Sequence, residues 1–551
     1  MATRDVLNQP PPLDGYDVYG ADVALAEAVP RHGARWAVDR LHALGEQAGT
    51  AETIALGATA NENPPRLRTH DRFGNRIDSV DYHPAYHELM QVAVGHELHG
   101  GPWRDAQDGA HVARAAGFMV WSQVDAGHGC PVSMTYAIIP ALRAEPSLAR
   151  VWEPRLTSAT YDPRPLPAAQ KLGAIAGMAM TEKQGGSDVR ANTTRAVAEN
   201  GGGPGAPYRL TGHKWFCSAP MSDAFLMLAQ APGGLSCFFV HRRRDDGTIN
   251  GIEIQRLKDK LGNRSNASSE IELDDAEGRL VGDEGRGVPT IIQMVNHTRL
   301  DCVLGAASGM RQAVAQATHH AAHRRAFGRE LVDQPLMRNV LADLAVESEA
   351  ATTVAIRLAA AYDATDRPDA DPHEVAFARL ATAVGKYWVC KRQPGLVAEA
   401  LECLGGNGYV EESILPRLFR ESPLNGIWEG SGNVICLDVL RAMGRAPASV
   451  DAFREEVLAA SGTDPRFDAH CRRLDAILAE PADLEWRARS IVAAMAVALQ
   501  ASLLIRAGSD AVADAFCVSR LDPDGRSATY GTLPAGVDAA AIVERARPAV
   551  G

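Results

Sequence analysis

An α+β fold is predicted by three features of this chain. Long segments carry apolar residues at helical spacing. A central block carries short strand-like runs instead. The length, 551 residues, suits three or four domains at roughly 100–200 residues each. Hydrophobic residues at 46% and charged residues at 23% are ordinary globular values, so the core should be ample.

Residues 1–175 read as an N-terminal helical domain. Through AHVARAAGFMVWSQVDAG (110–127) the apolar residues recur at helical spacing, and Pro-rich breaks fall near 10–12, 64–65 and 163–167. The character changes at about 176. AFLMLAQ (224–230), LSCFFVHR (235–242), GIEIQRL (251–257) and SEIELDD (269–275) are strand-like, with a Pro-Gly-Gly turn between the first two and a Gly-rich turn at 200–207. An antiparallel β domain is expected over 176–290. Helical spacing returns over 298–325, 334–362 and 373–404, long enough for a bundle domain at 291–445. Asp333 is the expected N-cap of the second of these helices, with Pro335 in its first turn. Residues 446–551 read as a further helical domain broken at LDPDGRS (521–527), and no internal repeat is visible.

Bulk chemistry excludes several classes. A net charge of −12 argues against a generally nucleic-acid-coated surface, though not against a local basic patch. Nine scattered cysteines, none in C-x-x-C spacing, suggest reduced thiols in a cytoplasmic protein. The first residues show no secretory pattern. The apolar stretch 491–505 falls short of the ~20 residues needed to span a bilayer and reads as a buried helix, so no membrane association is expected. GHELHG (95–100) fails as a metalloprotease motif, because His96 and His99 are three apart rather than four. His83 and His87 have the right spacing but read as helix-surface residues. No metal site is expected, and no G-x-S-x-G elbow supports a serine hydrolase.

Four stretches carry chemistry. MTEKQGGSDV (180–189) gathers small hydroxyls and glycines that allow close backbone approach to an anion or carbonyl; a plain turn would use the same residues. GHKWFCSAP (212–220) sets Phe216 and Ser218 on one side of a strand, an aromatic plane plus a hydroxyl, with sheet-core packing as the alternative. RRAFGREL (324–331) with Gln334 could serve a diphosphate and an adenine, or form a solvated helix end. NGIWEGSGNVICLDVLR (425–441) places Glu429 in an apolar setting, where burial would raise its pKa toward that of a base working near neutrality. Ser431 or Asn433 would cap the helix that follows.

Together these stretches resemble the acyl-CoA dehydrogenase family: T-E-x-x-x-G-S-D (181–188), aromatic-x-Ser (216–218), R-x-x-F-G (324–328), GGNGY (405–409) and E-G-S (429–431), in that order. MTEKQGGSDV, GHKWF, LKDKLGNRSNAS (257–268) and IWEGSGN further resemble its AidB branch, which carries an extra C-terminal helical domain. The resemblance implies the acyl-CoA dehydrogenase fold, non-covalent FAD, and α,β-dehydrogenation of an acyl-CoA with Glu429 as base. It implies that Met180 and Thr181 meet the flavin's pyrimidine edge, that Gly186 and Ser187 meet phosphate, and that Phe216 lies against the ring with Trp215 alongside. Ser218 would bond near N5, and Trp428, Ser431 and Asn433 would also touch the cofactor. Arg324, Phe327, Gln334, Gly405 and Gly406 would reach the adenosine diphosphate half from a neighbouring subunit, implying at least a dimer and, as is common in the family, a dimer of dimers. Arg299 and Trp428 would border the substrate, and an electron-transfer flavoprotein would take the electrons.

The sequence departs from ordinary members at Lys183-Gln184, at Trp428 in place of Tyr, and at Glu402 in place of Gln. Those changes suggest short or branched, isovaleryl-like acyl groups, or weak activity. The branch is also associated with double-stranded DNA in alkylation damage. From 445 to 551, however, 12 Arg and no Lys face 15 Asp plus Glu, a balance of −3. The candidates for a basic cluster there are Arg472, Arg473, Arg487, Arg489, Arg520, Arg526, Arg545 and Arg547, with Arg441 and Arg445 at the joint.

Overall fold

The strand-like runs of the central block become one sheet. It contains β3 (Ala176–Ala179), β4 (Arg195–Ala198), β5 (Pro207–Ser218), β6 (Ala224–Ala231), β7 (Gly234–His241), β8 (Ile252–Leu257) and β9 (Ser268–Val281), after a separate hairpin of β1 (Arg66–His70) and β2 (Arg76–Asp81). The computed structural model describes residues 5–367, 369–522 and 529–549. Arg526 and positions 523–527 of the LDPDGRS break lie outside the described residues. By contacts the chain divides into two compact units: residues 55–107 with 124–298, and residues 1–54 with 108–123 and 299–551.

In the strand-bearing unit, the pairings β6–β7, β7–β9, β9–β5, β5–β4 and β4–β6 return to their start, so those strands close on themselves. Closure removes most free sheet edges. β6 and β7 form the expected hairpin, with Pro232 and Gly233 between the paired Ala231 and Gly234. The sheet is not purely antiparallel, since β3 and β4 run parallel to β6. Alternation along the strands sends Tyr208, Cys217, Phe225, Met227, Phe238, Val240, Ile271 and Leu280 inward as one apolar core. Each large side chain buried this way contributes roughly 1.5–3 kcal/mol.

The hairpin β1–β2 lies in the 1–175 segment read as helical. Asp71 explains it: its carboxylate accepts the N–H groups of Phe73 (2.8 Å) and Asn75 (2.9 Å), and Gly74 adopts φ +87. That is turn chemistry, and it overrides helical propensity.

The other unit is helical. Its main elements are α1 (Val23–Arg31), α2 (Val38–Ala48), α3 (Ala110–Ser122), α4 (Gly287–His323, belonging here from Arg299), α5 (Pro335–Thr365), α6 (Pro372–Cys403), α7 (Gly432–Arg445), α8 (Pro447–Leu458), α9 (Pro465–Ala479), α10 (Leu484–Ala507) and α11 (Ala539–Ala546). α5 and α6 pack on each other, and α10 packs on both as well as on α7, α8 and α9. α10 is longer than the apolar stretch suggested. Leu484–Arg506 reaches a mean hydropathy of 1.8, but 78% of that window is buried inside the protein, as expected for a core helix. The N-cap of α5 is Gln334 rather than Asp333, which sits in a preceding short turn and pairs with Arg338 at 3.1 Å.

Candidate functional site

The loop that leaves β3 is organised by Glu182. Its side chain is fully buried beside the equally buried Lys214, at 2.8 Å. The carboxylate also accepts Thr193 N (2.7 Å), Thr193 Oγ1 (3.0 Å), Thr194 N (3.2 Å), Thr194 Oγ1 (2.6 Å) and Gln184 Nε2 (2.9 Å). Burial opposes ionisation, yet Lys214 and these donors outweigh it and hold the carboxyl well below the usual carboxylate range. Lys214 also donates to Leu228 O at 2.7 Å. Glu182 is therefore structural. It pins the inner side of the loop and leaves Gly185, Gly186, Ser187 and Asp188 exposed.

The carbonyls of Met180 and Thr181 are taken inward, by Asn192 Nδ2 (2.9 Å) and Trp215 N (2.8 Å). Neither the Gly186 nor the Ser187 N–H meets a protein acceptor among the described residues. A Cβ on Gly186 would meet Thr181 Oγ1 at 2.4 Å, so any larger residue there has to displace the Thr181 side chain. N–H groups at consecutive exposed positions that meet no protein acceptor are the form an anion nest takes.

Beside this loop, at the end of β5, Phe216 is 50% exposed while Cys217 is buried, so Phe216 and Ser218 do share the outer face. Trp215 is half-buried, and Lys258 Nζ lies 3.4 Å from its ring centroid and 4.7 Å from that of Phe216. Glu270 holds Lys258 there at 2.6 Å. Met180, Thr181, Gly186, Ser187, Trp215, Phe216 and Ser218 are thus brought to one neighbourhood of the strand-bearing unit.

In the helical unit, Glu429 has φ +57, a left-handed conformation that costs a non-glycine residue of order 1–3 kcal/mol. Two buried cations hold it. Lys386, from the middle of α6, donates to Trp428 O (2.9 Å) and Gly430 O (2.5 Å). Arg299, from α4, donates to Glu429 O (3.1 Å) and pairs with Asp438 of α7 (2.9 Å), which also accepts Arg379 (3.0 Å). Three consecutive carbonyls are therefore turned onto cations.

The expected substrate contact of Arg299 is corrected here. Its side chain is only 7% exposed and is committed to Asp438 and to the Glu429 backbone, so it positions the carboxylate residue. Lys386 was missed. The one available signal was a lysine inside the apolar run AVGKYWVC (383–390). Lys386→Met is expected to orphan two carbonyls at about 1–3 kcal/mol each and to lower the urea midpoint accordingly, whereas substituting an exposed lysine such as Lys391 should not.

Ser431 is the N-cap of α7 without a side-chain cap bond, and both it and Asn433 are exposed. Lys391 Cε and Arg489 Nη2 lie 3.2 and 3.3 Å from where a Gly432 Cβ would be. Trp428 is half-buried, with its indole N–H on Asn425 Oδ1 at 3.0 Å.

Elsewhere in this unit, Phe327 is 99% exposed at φ +52 on the tip of a small hairpin, Arg325–Ala326 with Arg329–Glu330. Gln334 Nε2 braces that hairpin through Ala326 O at 3.0 Å. Asn8 straps the same hairpin, accepting from Arg325 N at 2.8 Å and receiving Arg324 on its carbonyl. Gln9 accepts Asn407 Nδ2 at 3.0 Å, next to the exposed Gly405 and Gly406. The sequence carried no sign of this N-terminal strap.

Comparisons with known proteins identify the family. A family model described as the adaptive response protein AidB N-terminal domain matches residues 8–163. The acyl-CoA dehydrogenase middle domain matches 177–276, and the acyl-CoA dehydrogenase C-terminal domain matches 285–444. The chain is 48% identical over 525 residues to AidB of Escherichia coli (strain K12), covering 95% of each. It superposes on Caenorhabditis elegans ACDH-11, solved in complex with C11-CoA, with a TM-score of 0.85 at 27% identity, covering 94% and 93% of the two chains. A Bacillus anthracis acyl-CoA dehydrogenase complexed with FAD shares the fold at a TM-score of 0.66 and 18% identity, covering 85% of this chain and 91% of that one.

Proposed function

This chain belongs to the acyl-CoA dehydrogenase family, in its AidB-like branch, and on that premise we propose that it is an FAD-dependent dehydrogenase of short or branched acyl-CoA thioesters with Glu429 as base. The observation that carries the proposal is the clamped turn. A carboxylate residue is kept in a left-handed conformation by Arg299 and Lys386, which reach this turn through its backbone carbonyls. Strain maintained at one residue by buried cations is characteristic of a positioned reacting group.

The residues of the β3 and β5 ends fit a flavin. Gly186 and Ser187 offer unspent N–H groups for phosphate, and Phe216 offers an open aromatic face with the Ser218 hydroxyl on the same side. Met180 and Thr181 would meet the pyrimidine edge, and Trp215, already covered by Lys258, would back the ring. Ser431 and Asn433 would add polar contacts. When bound, the cofactor supplies the hydride-accepting centre. The Glu429 carboxylate takes the proton from the carbon α to the thioester carbonyl, and that C–H electron pair becomes the Cα–Cβ double bond as hydride leaves the β-carbon. The product is a trans-2-enoyl-CoA, and Trp428, beside the base, narrows the acyl pocket.

Arg324, Phe327, Gln334, Gly405 and Gly406 would serve the adenosine diphosphate half of a cofactor bound to a second copy, in a dimer of dimers. Support comes from Phe327, a fully exposed aromatic presented on a hairpin that Gln334 and Asn8 brace. An electron-transfer flavoprotein would accept the electrons, and nine buried free thiols suit a cytoplasmic setting.

A second reading, in which residues 446–551 bind double-stranded DNA and catalysis is vestigial, draws on the likeness to an adaptive response protein. Five of the candidate arginines weigh against it. Arg520 is committed to Asp343 and Glu347, Arg545 to Glu27 and Glu349, Arg547 to Glu544, and Arg473 and Arg487 to carbonyls. Anaerobic titration of the flavin-loaded protein with short, branched and long acyl-CoAs tests the choice. Bleaching of the flavin absorbance by short or branched thioesters is the expected result. No bleaching by any thioester, with flavin retained, would move the function to the second reading.

A further inference from the structure

The segment LKDKLGNRSNAS joins β8 to β9, and most of it is unused by the roles assigned so far. Its last residue, Ser268, opens β9 directly opposite Ser218, the closing residue of β5; the two are Cα partners in the ladder. Their hydroxyl oxygens are 3.0 Å apart. Behind Ser268 stands Lys260, whose Nζ donates to Ser268 Oγ at 3.2 Å and to Asn266 O at 2.7 Å. Lys260, Ser268 and Ser218 therefore form a single file that begins at a cation and ends at the hydroxyl on the outer face of β5.

The file has a preferred direction. An ammonium group can only donate, so Ser268 Oγ is an acceptor toward Lys260. A hydroxyl that accepts from a cation becomes a stronger donor through its own proton, and Ser218 Oγ lies within reach of that proton. Ser218, accepting in turn, is left to direct its own proton outward. Ser268 is 7% exposed, so water competes little for the middle of the file. Next to it, Asn266 is 2% exposed and neither atom of its side-chain amide has a partner among the described residues. An amide left open in this way is retained where a ligand or an ordered water completes it.

We propose that Lys260, relayed through Ser268, makes Ser218 an obligate donor to the group bound at the end of β5 and thereby raises that group's electron affinity. The inference rests on the flavin reading above. Lys260 and Ser268 are positioning residues, since neither is argued to touch the ring. Charge on Lys260 favours the electron-rich, reduced state of the bound group, and the relay applies that bias at the hydroxyl.

The test is the midpoint potential of the bound flavin, measured by reductive titration against a reference dye in the parent protein and in Lys260→Met, Lys260→Arg and Ser268→Ala. Lys260→Met and Ser268→Ala are expected to shift the potential to more negative values while retaining flavin, and Lys260→Arg to stay close to the parent. Unchanged potentials in Lys260→Met and Ser268→Ala would overturn the proposal. A shift in Lys260→Met alone would also overturn it, because the lysine would then act without the relay. Ser268→Ala removes a single hydroxyl and keeps the question open to disproof if Lys260→Met does not fold. A parent protein that binds no FAD would instead sink the flavin reading itself.

Discussion

Glu429→Gln is expected to leave the protein folded and yellow and to reduce thioester oxidation by about 10²–10⁴-fold, the range attributed to a lost general base. The argument for an intact fold is geometric. Arg299 and Lys386 hold the carbonyls of residues 428–430, so the clamp does not depend on the charge that is removed. Gln also keeps the side-chain length and shape, so the left-handed turn is not asked to relax. Lys386→Met does the opposite, loosening the turn while keeping the carboxylate. Comparing flavin content and thioester turnover in the two variants therefore separates the proton acceptor from its support. Unchanged turnover in Glu429→Gln would remove Glu429 as the base.

Glu182→Ala is expected to be among the most destabilising single changes in the strand-bearing unit, by about 3–5 kcal/mol, the usual cost of removing one partner from a buried ion pair. It strands Lys214, with no exposed side-chain surface, on the single carbonyl of Leu228. It also orphans the Thr193 and Thr194 N–H groups and the Thr193 hydroxyl that hold the base of the loop, while the Thr194 hydroxyl keeps His213 O at 3.2 Å. Thermal unfolding should show a lowered midpoint and early flavin release. Lys214→Met in the Glu182→Ala background should restore part of the loss, because the uncompensated charge is gone. A drop no larger than that of a surface substitution would refute this account. The pH dependence has a definite sign. Burial opposes the Glu182 carboxylate, but Lys214 and the hydrogen bonds prevail, so its folded pKa is depressed. The stabilisation is complete above the ordinary carboxylate value of ~4.3 and is lost as the pH falls through the lower folded value. The acid limb of the stability profile should flatten in Glu182→Ala.

Local features were readable because they are written in neighbouring residues. The long helices α4, α5 and α6 follow from apolar periodicity, and the hairpin of β6 and β7 follows from Pro232-Gly233 between two apolar runs. Ser431 occupies the cap position that its type suggested. The motif order was enough to identify the family. By contrast, Arg299 looked like a substrate contact because nothing near it in the chain revealed Asp438, 139 residues away. Lys386 drew no reading at all because the carbonyls it serves lie 42 and 44 residues downstream. The β1–β2 hairpin hid because its turn signal, an Asp side chain capping N–H groups two and four residues on, lies inside a segment read as helical.

The sequence by itself determined the long helices, most strands of the central sheet and the family to which the chain belongs, but not the β1–β2 hairpin. Periodicity, turn residues and motif order are properties of adjacent positions, and adjacent positions are what a sequence records. The tertiary structure alone decided that Glu182 is a buried anchor rather than a ligand, that Arg299 and Lys386 brace Glu429 through its backbone, and that Lys260 stands behind Ser218. Those roles depend on the partner each charge meets after burial. Burial makes an unpaired charge so costly that packing between distant segments, rather than local sequence, assigns the partner.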